Sequence, residues 1–128
     1  MLDSPRRDAL TLDLIDRLDR ILHRHVEPWP DELQRLYGRP LRHGVAGVGV
    51  LAVGHFRTPC DERRRRFAER ARAILRRMAR LLEGACERGL FEGPEMRHLS
   101  GLQSALHAAF GGTAEDRSGS VSTVPTAV

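Results

Sequence analysis

Lysine is absent from this sequence: all 21 basic residues are arginine, so a pI of about 10.3 and a net charge of +4 rest on guanidinium groups alone. Lysine depletion beside abundant alanine, glycine and arginine is what a GC-rich genome produces, so the absence by itself carries little functional weight. Aromatics are few as well, with one Trp, one Tyr and four Phe, mostly at apolar positions. Base stacking is therefore a poor candidate for a main source of binding. Only two cysteines occur, Cys60 and Cys86. On one helix they stand apart by about 39 Å of rise, so no intramolecular disulfide is expected. No apolar run approaches the ~20 residues needed to cross a bilayer, and the N-terminus is charged and polar rather than signal-like. These absences lead us to expect a soluble, cytoplasmic protein without a membrane partner.

Catalytic and metal-binding patterns are equally scarce. His23 and His25, two apart on a helix, diverge by about 160° and cannot share a site. Glu95 and His98 have the spacing of half a di-iron bundle site, but that chemistry requires a second such pair and further inward glutamates, which the sequence does not supply. Cys60 and Cys86 lack a neighbouring base and orienting group, and no zinc spacing or Ser/His/Asp order stands out. Gly47-Val48-Gly49 belongs to neither GxGxxG nor GxxxxGK[ST]. The expectation is a non-enzymatic protein without metal or cofactor.

The segment Thr58 to Gly89 stands out instead. With Phe67 at the origin and a turn of about 100° per residue, Ala71, Ile74, Leu75, Met78, Leu81, Leu82 and Ala85 fall within about 80° of it. On the opposite side Arg65, Arg72, Arg76 and Arg80 line up with only Glu69 among them, flanked by Arg66, Arg70 and Arg77. Between Cys60 and Arg80 nine arginines stand against Asp61, Glu62 and Glu69, a local charge of +6. The rest of the chain is slightly acidic. Such a helix docks on its own protein with one face and offers concentrated positive charge with the other.

Three further helices fit around it. The first starts at Ser4 or Thr11 and carries Leu10, Leu14, Leu18, Ile21 and Leu22 at helical spacing, with Asp13, Asp16 and Asp19 alternating with Arg17, Arg20 and Arg24 outside. Glu27-Pro28-Trp29-Pro30 stops it, and a short turn from Asp31 to Tyr37 leads to Gly38-Arg39-Pro40, with Pro40 opening the second helix. Leu41 to Arg57 alternates valine and glycine in a way that also suits a strand, but no other segment offers a strand partner, which favours helix. Glycine costs about 1 kcal/mol per position in a helix interior, so Gly44, Gly47, Gly49 and Gly54 predict unusually close packing. The long helix opens at Thr58-Pro59-Cys60-Asp61 and closes at Gly89. A fourth runs from about Pro94 to Phe110, burying Leu99, Leu102, Ala105, Leu106 and Ala109. The expected architecture is all-α, an antiparallel up-and-down four-helix bundle over residues 1–112, with a flexible tail over 113–128.

Read in order, Trp29-Pro30 before Tyr37-Gly38, Leu41-Arg42 leading into Leu51-Ala52-Val53-Gly54-His55-Phe56-Arg57, Glu87-Arg88-Gly89-Leu90-Phe91, and His98-Leu99 leading to Phe110-Gly111-Gly112 give a chain that resembles one family. It is the four-helix-bundle family of the accessory variability determinant (Avd) proteins of diversity-generating retroelements and the proteins of 23S ribosomal RNA intervening sequences. The likeness covers about residues 12 to 112. Val53 stands where the intervening-sequence branch usually has glutamate. Resemblance to Avd implies a non-enzymatic basic homopentamer that associates with the retroelement's reverse transcriptase and binds template RNA or RNA/DNA hybrid.

Two mechanisms follow from the residues. In the first, Arg65, Arg66, Arg70, Arg72, Arg76, Arg77 and Arg80 contact phosphates, for which guanidinium forks are well shaped. In the second, the chain is a protein-interaction scaffold or an intervening-sequence-type bundle protein, and the arginines meet an acidic protein surface or water.

Overall fold

The structure, a computed structural model, describes residues 4–112; the expected tail over 113–128 lies outside the described residues. Among the described residues the chain is all-helical, with four long helices and no strand: α1 Ser4–Val26, α2 Arg39–Arg57, α3 Asp61–Glu87 and α4 Gly93–Ala109. Each helix packs on its neighbours in chain order, and α4 closes back onto α1.

The buried stripe of α1 is Thr11, Ile15, Leu18, Leu22 and Val26: Leu18 and Leu22 stand inside as expected, Leu14 and Ile21 are half-buried beside them, and Leu10 is 50% exposed. Thr11 is not a cap. It lies inside α1, where its hydroxyl donates to the Arg7 carbonyl at 2.9 Å, satisfying a buried polar group within the helix.

Between α1 and α2 the expected short turn is helical: a single turn, Asp31–Leu33, runs into a π-helical turn, Gln34–Gly38, which continues directly into α2. Pro40 explains the widened turn, because a proline ring collides with the carbonyl four residues back in ordinary α geometry. Gln34 also closes α1, its Nε2 donating to the Val26 carbonyl at 2.6 Å. That bond satisfies one of the carbonyls a helix end leaves without an intrahelical donor.

The valine- and glycine-rich α2 is helical throughout and packs closely on α3 at two of the four anticipated positions. A Cβ on Gly44 would stand 2.8 Å from Met78 Cγ, and one on Gly54 would stand 2.9 Å from Phe67 Cζ. At Gly47 the nearest atom, Ile74 Cδ1, is 3.3 Å away, while Gly49 has only ordinary contact with Ile15 at 3.8 Å.

The buried stripe of α3 is Ala68, Ala71, Leu75, Met78, Leu82 and Ala85. Its period of three and four residues is that of a coiled-coil seam. It is rotated by about 40° from a stripe centred on Phe67. Phe67, Ile74 and Leu81 are half-buried along the α2 side.

Both α3 and α4 end in the same way. Leu90 N–H donates to the Ala85 carbonyl and Gly89 N–H to Cys86; Gly112 N–H donates to His107 and Gly111 N–H to Ala108. Gly89 and Gly111 take φ of 77° and 85°, the left-handed residue that this paired closure requires. In α4 the buried positions are Leu99, Leu102, Gln103, Leu106 and His107; Ala105 and Ala109, expected inside, are exposed. Gln103 reaches across to the mid-helix carbonyl of Leu75 at 2.7 Å, which accounts for an amide in the core.

Candidate nucleic-acid interface

The rotation of the α3 stripe decides where each arginine stands. Arg66 and Arg80 occupy the outermost line of the helix, Arg70 and Arg77 hang toward α2, and Arg65, Arg72 and Arg76 lean toward α4. Arg65, Arg66, Arg70, Arg77 and Arg80 are exposed; Arg72 and Arg76 are half-buried. The seven residues therefore form a broad cationic band rather than a single row.

Two of the seven are partly engaged. The Arg66 guanidinium pairs with Glu62 at 2.8 Å, one turn back on the surface, and such exposed pairs are weak and easily exchanged. Arg72 donates to the Phe110 carbonyl at the end of α4, so its head group serves a helix terminus. Among the described residues Arg65, Arg70, Arg76, Arg77 and Arg80 have no ion pair or hydrogen bond. Glu69 stands exposed among them, the one carboxylate in the band beyond the first turn.

Sequence reasoning left out Arg63, which is exposed and extends the band toward the start of α3. The signal was the unbroken run Arg63–Arg66, in which four guanidiniums must point all round the helix. Its member Arg64 turns inward instead, donating to Asp61 at 2.8 Å and to the Thr58 carbonyl at 2.9 Å, and so ties down the loop that precedes the helix.

At that end of the molecule the band meets a cleft of about 500 Å³ lined by His55, Arg64, Arg65, Glu69, Arg72 and Phe110. His55 Nδ1 lies 3.0 Å from the Arg64 carbonyl. A carbonyl can only accept, so Nδ1 carries the hydrogen of this bond. The ring is held edge-on against Phe110, 5.6 Å between centroids.

The histidine and carboxylate pair between α1 and α4 serves structure. His25 approaches Glu95 at 3.4 Å between α1 and α4, and Glu95 Oε1 also accepts the Glu92 amide at 2.9 Å. Glu95 is thus a capping and inter-helix group, and His98 is exposed. No cluster of three metal-ligating side chains occurs among the described residues. Cys60 precedes α3, where the Arg63 backbone N–H, with a smaller contribution from that of Glu62, holds its thiol below the ordinary value. No helix among the described residues is long and apolar enough to cross a membrane.

Comparison with family models, with curated proteins and with solved structures returned no match to the chain.

Proposed function

We propose that the protein is a non-enzymatic accessory protein that grips RNA or an RNA/DNA hybrid through the arginine band of α3. One observation carries this reading: among the described residues, five of the seven arginines of the band make no ion pair or hydrogen bond, and of those seven only Arg66 is paired with a carboxylate. Unpaired guanidiniums a turn or two apart present a repeating set of forks to a repeating set of phosphates. Binding of this kind is governed by backbone charge, is weakly sequence-selective and falls as salt rises.

The resemblance to Avd proteins extends the proposal to a homopentameric, cytoplasmic component of a diversity-generating retroelement that associates with its reverse transcriptase and supports mutagenic cDNA synthesis. The up-and-down topology belongs to the same proposal. It is supported by neighbouring pairs whose numbers run in opposite directions on adjacent helices: Gly44 with Met78 and Gly54 with Phe67, Leu75 with Gln103 and Arg72 with Phe110.

The test is an Arg65→Glu/Arg76→Glu/Arg80→Glu variant, which alters only guanidiniums without described partners. It should keep its helical circular dichroism and lose binding to labelled single-stranded RNA and RNA/DNA hybrid; unchanged binding removes the proposal. Light scattering addresses assembly separately, since a mass of 14.4 kDa would be that of a lone chain and would remove the pentamer.

A further inference from the structure

Along the middle of α2, between His43 and Arg57, the exposed side chains are all apolar. Ala46 is exposed, Val53 is 40% exposed and Val50, at the centre, is 72% exposed. A helical stretch that is apolar on its outer as well as its inner side is the mark of one that is covered on both. Here nothing in the chain's described residues covers it.

Beside this face, α2 and α3 leave a groove in two neighbouring stretches that share Ile74 in their lining. One, of about 580 Å³, is lined by Gly47, Val50, Leu51, Arg70, Ala73 and Ile74. The other, of about 320 Å³, runs on over Gly44, Met78 and Leu81 toward Pro40, with His43 and Arg77 at its edge. The floor is apolar because Val50, Leu51, Ile74, Met78 and Leu81 line it, and Gly44 and Gly47 add no side chain that would fill it. Every ionisable group on the rim is basic, and no carboxylate lines either stretch. From Pro40 to Leu51 the groove follows α2 for about 16 Å, the length of three helical turns.

The geometry points to a docking site for an acidic amphipathic helix of a partner protein. Apolar residues spaced i, i+3, i+4 and i+7 on such a helix fill the floor over Gly44, Gly47, Leu51 and Ile74. Its flanking carboxylates reach Arg70, Arg77 and His43, which lie along the rim. A phosphate backbone suits the rim but not the floor, where it would lose hydration against hydrocarbon without gaining a donor. A second copy seated face to face would bring Arg70 and Arg77 against their own counterparts, and like charges there oppose it. The site shares Arg70 and Arg77 with the nucleic-acid band but does not depend on it: docking occupies those two and leaves Arg65, Arg66, Arg76 and Arg80 open.

The test uses the full chain and a labelled synthetic peptide of about 14 residues, with leucines at i, i+3, i+4 and i+7 and glutamates at the flanking positions. Two controls replace the glutamates by lysine, or the leucines by serine. The acidic leucine peptide should bind at least about tenfold more tightly than either control, with a Kd below about 100 µM. Val50→Glu, an exposed change that should keep its helical circular dichroism, should weaken the peptide about tenfold and leave RNA affinity unchanged. Arg70→Glu/Arg77→Glu should shift preference to the lysine peptide. The proposal is overturned by absence of binding, by equal binding of the serine peptide, or by indifference to Val50→Glu. It is also overturned if Val50→Glu abolishes RNA binding, which makes the groove part of the nucleic-acid surface. Likewise, self-association of the wild-type chain that Val50→Glu dissolves would identify a second copy as the occupant.

Discussion

The Arg72 guanidinium donates to the carbonyl oxygen of Phe110 and so joins the middle of α3 to the residue that closes α4. A positive group beside a helix C-terminus also meets the negative end of its dipole. Arg72 is therefore a structural arginine set within a band whose other members, Arg66 apart, have no partner among the described residues.

Arg72→Ala and Arg80→Ala should separate in urea unfolding. Loss of a half-buried, charge-assisted hydrogen bond to a carbonyl should cost about 1–2 kcal/mol. Arg80 is exposed and has no partner among the described residues, so its loss should stay within about 0.5 kcal/mol. Equal midpoints for the two variants would show that the Phe110 bond contributes nothing to stability.

How far the fold was legible depended on whether a feature is local. The ends of α3 and α4 were written in Gly89 and Gly111, because a left-handed closing residue is a local demand on the backbone. The helical state of Leu41–Arg57 was recoverable by elimination, since a strand needs a partner and none existed. The close approaches at Gly44 and Gly54 were anticipated, but not which glycines made them: that depends on where Met78 and Phe67 fall on the facing helix. The closure of α1 by Gln34 was not legible, because it requires the chain to turn back and place residue 34 under the Val26 carbonyl. The arginine band was visible as composition. The division of labour within it was not, since centring the stripe on the largest residue, Phe67, concealed Ala68 and set Arg72 on the outer face.

The glycines of the helices sort by what a methyl group would meet. Gly101 has open space around its Cβ direction and Gly49 has only ordinary contact, so Gly101→Ala and Gly49→Ala should each stabilise by about 0.5–1 kcal/mol through helix propensity. At Gly54 the methyl would stand within 2.9–3.2 Å of three Phe67 ring atoms. Gly54→Ala should therefore destabilise by about 1–3 kcal/mol as the ring is displaced. Thermal or urea midpoints of the three variants provide the comparison, and a stabilising Gly54→Ala would mean that Phe67 moves aside freely.

Cys60 and Cys86 should differ in reactivity. Cys60 is exposed and its thiol is lowered chiefly by the Arg63 backbone N–H, whereas Cys86 is half-buried on α3. Iodoacetamide should modify Cys60 first near neutral pH, with a rate whose midpoint lies below that of the unfolded chain, as followed in Cys60→Ser and Cys86→Ser variants. A thiol ionising more readily when folded favours folding fully above its unfolded pKa, and that contribution is lost as pH falls through the folded one. Full exposure keeps the stability effect small, so alkylation is the more sensitive readout. Faster modification of Cys86 would contradict the assignment.

Salt dependence distinguishes the arginines of the band by role. If the band neutralises phosphates, the logarithm of RNA affinity should fall linearly with the logarithm of salt concentration, each contact contributing about 0.7 to the slope for single strands. Arg80→Ala should reduce that slope by about one such increment, because its guanidinium is free to meet a phosphate. Arg72→Ala should reduce it by less, since the Phe110 carbonyl already holds one of its donors. Equal reductions would mean that Arg72 leaves Phe110 when RNA binds, and a slope indifferent to both variants would place the phosphate contacts elsewhere on the molecule.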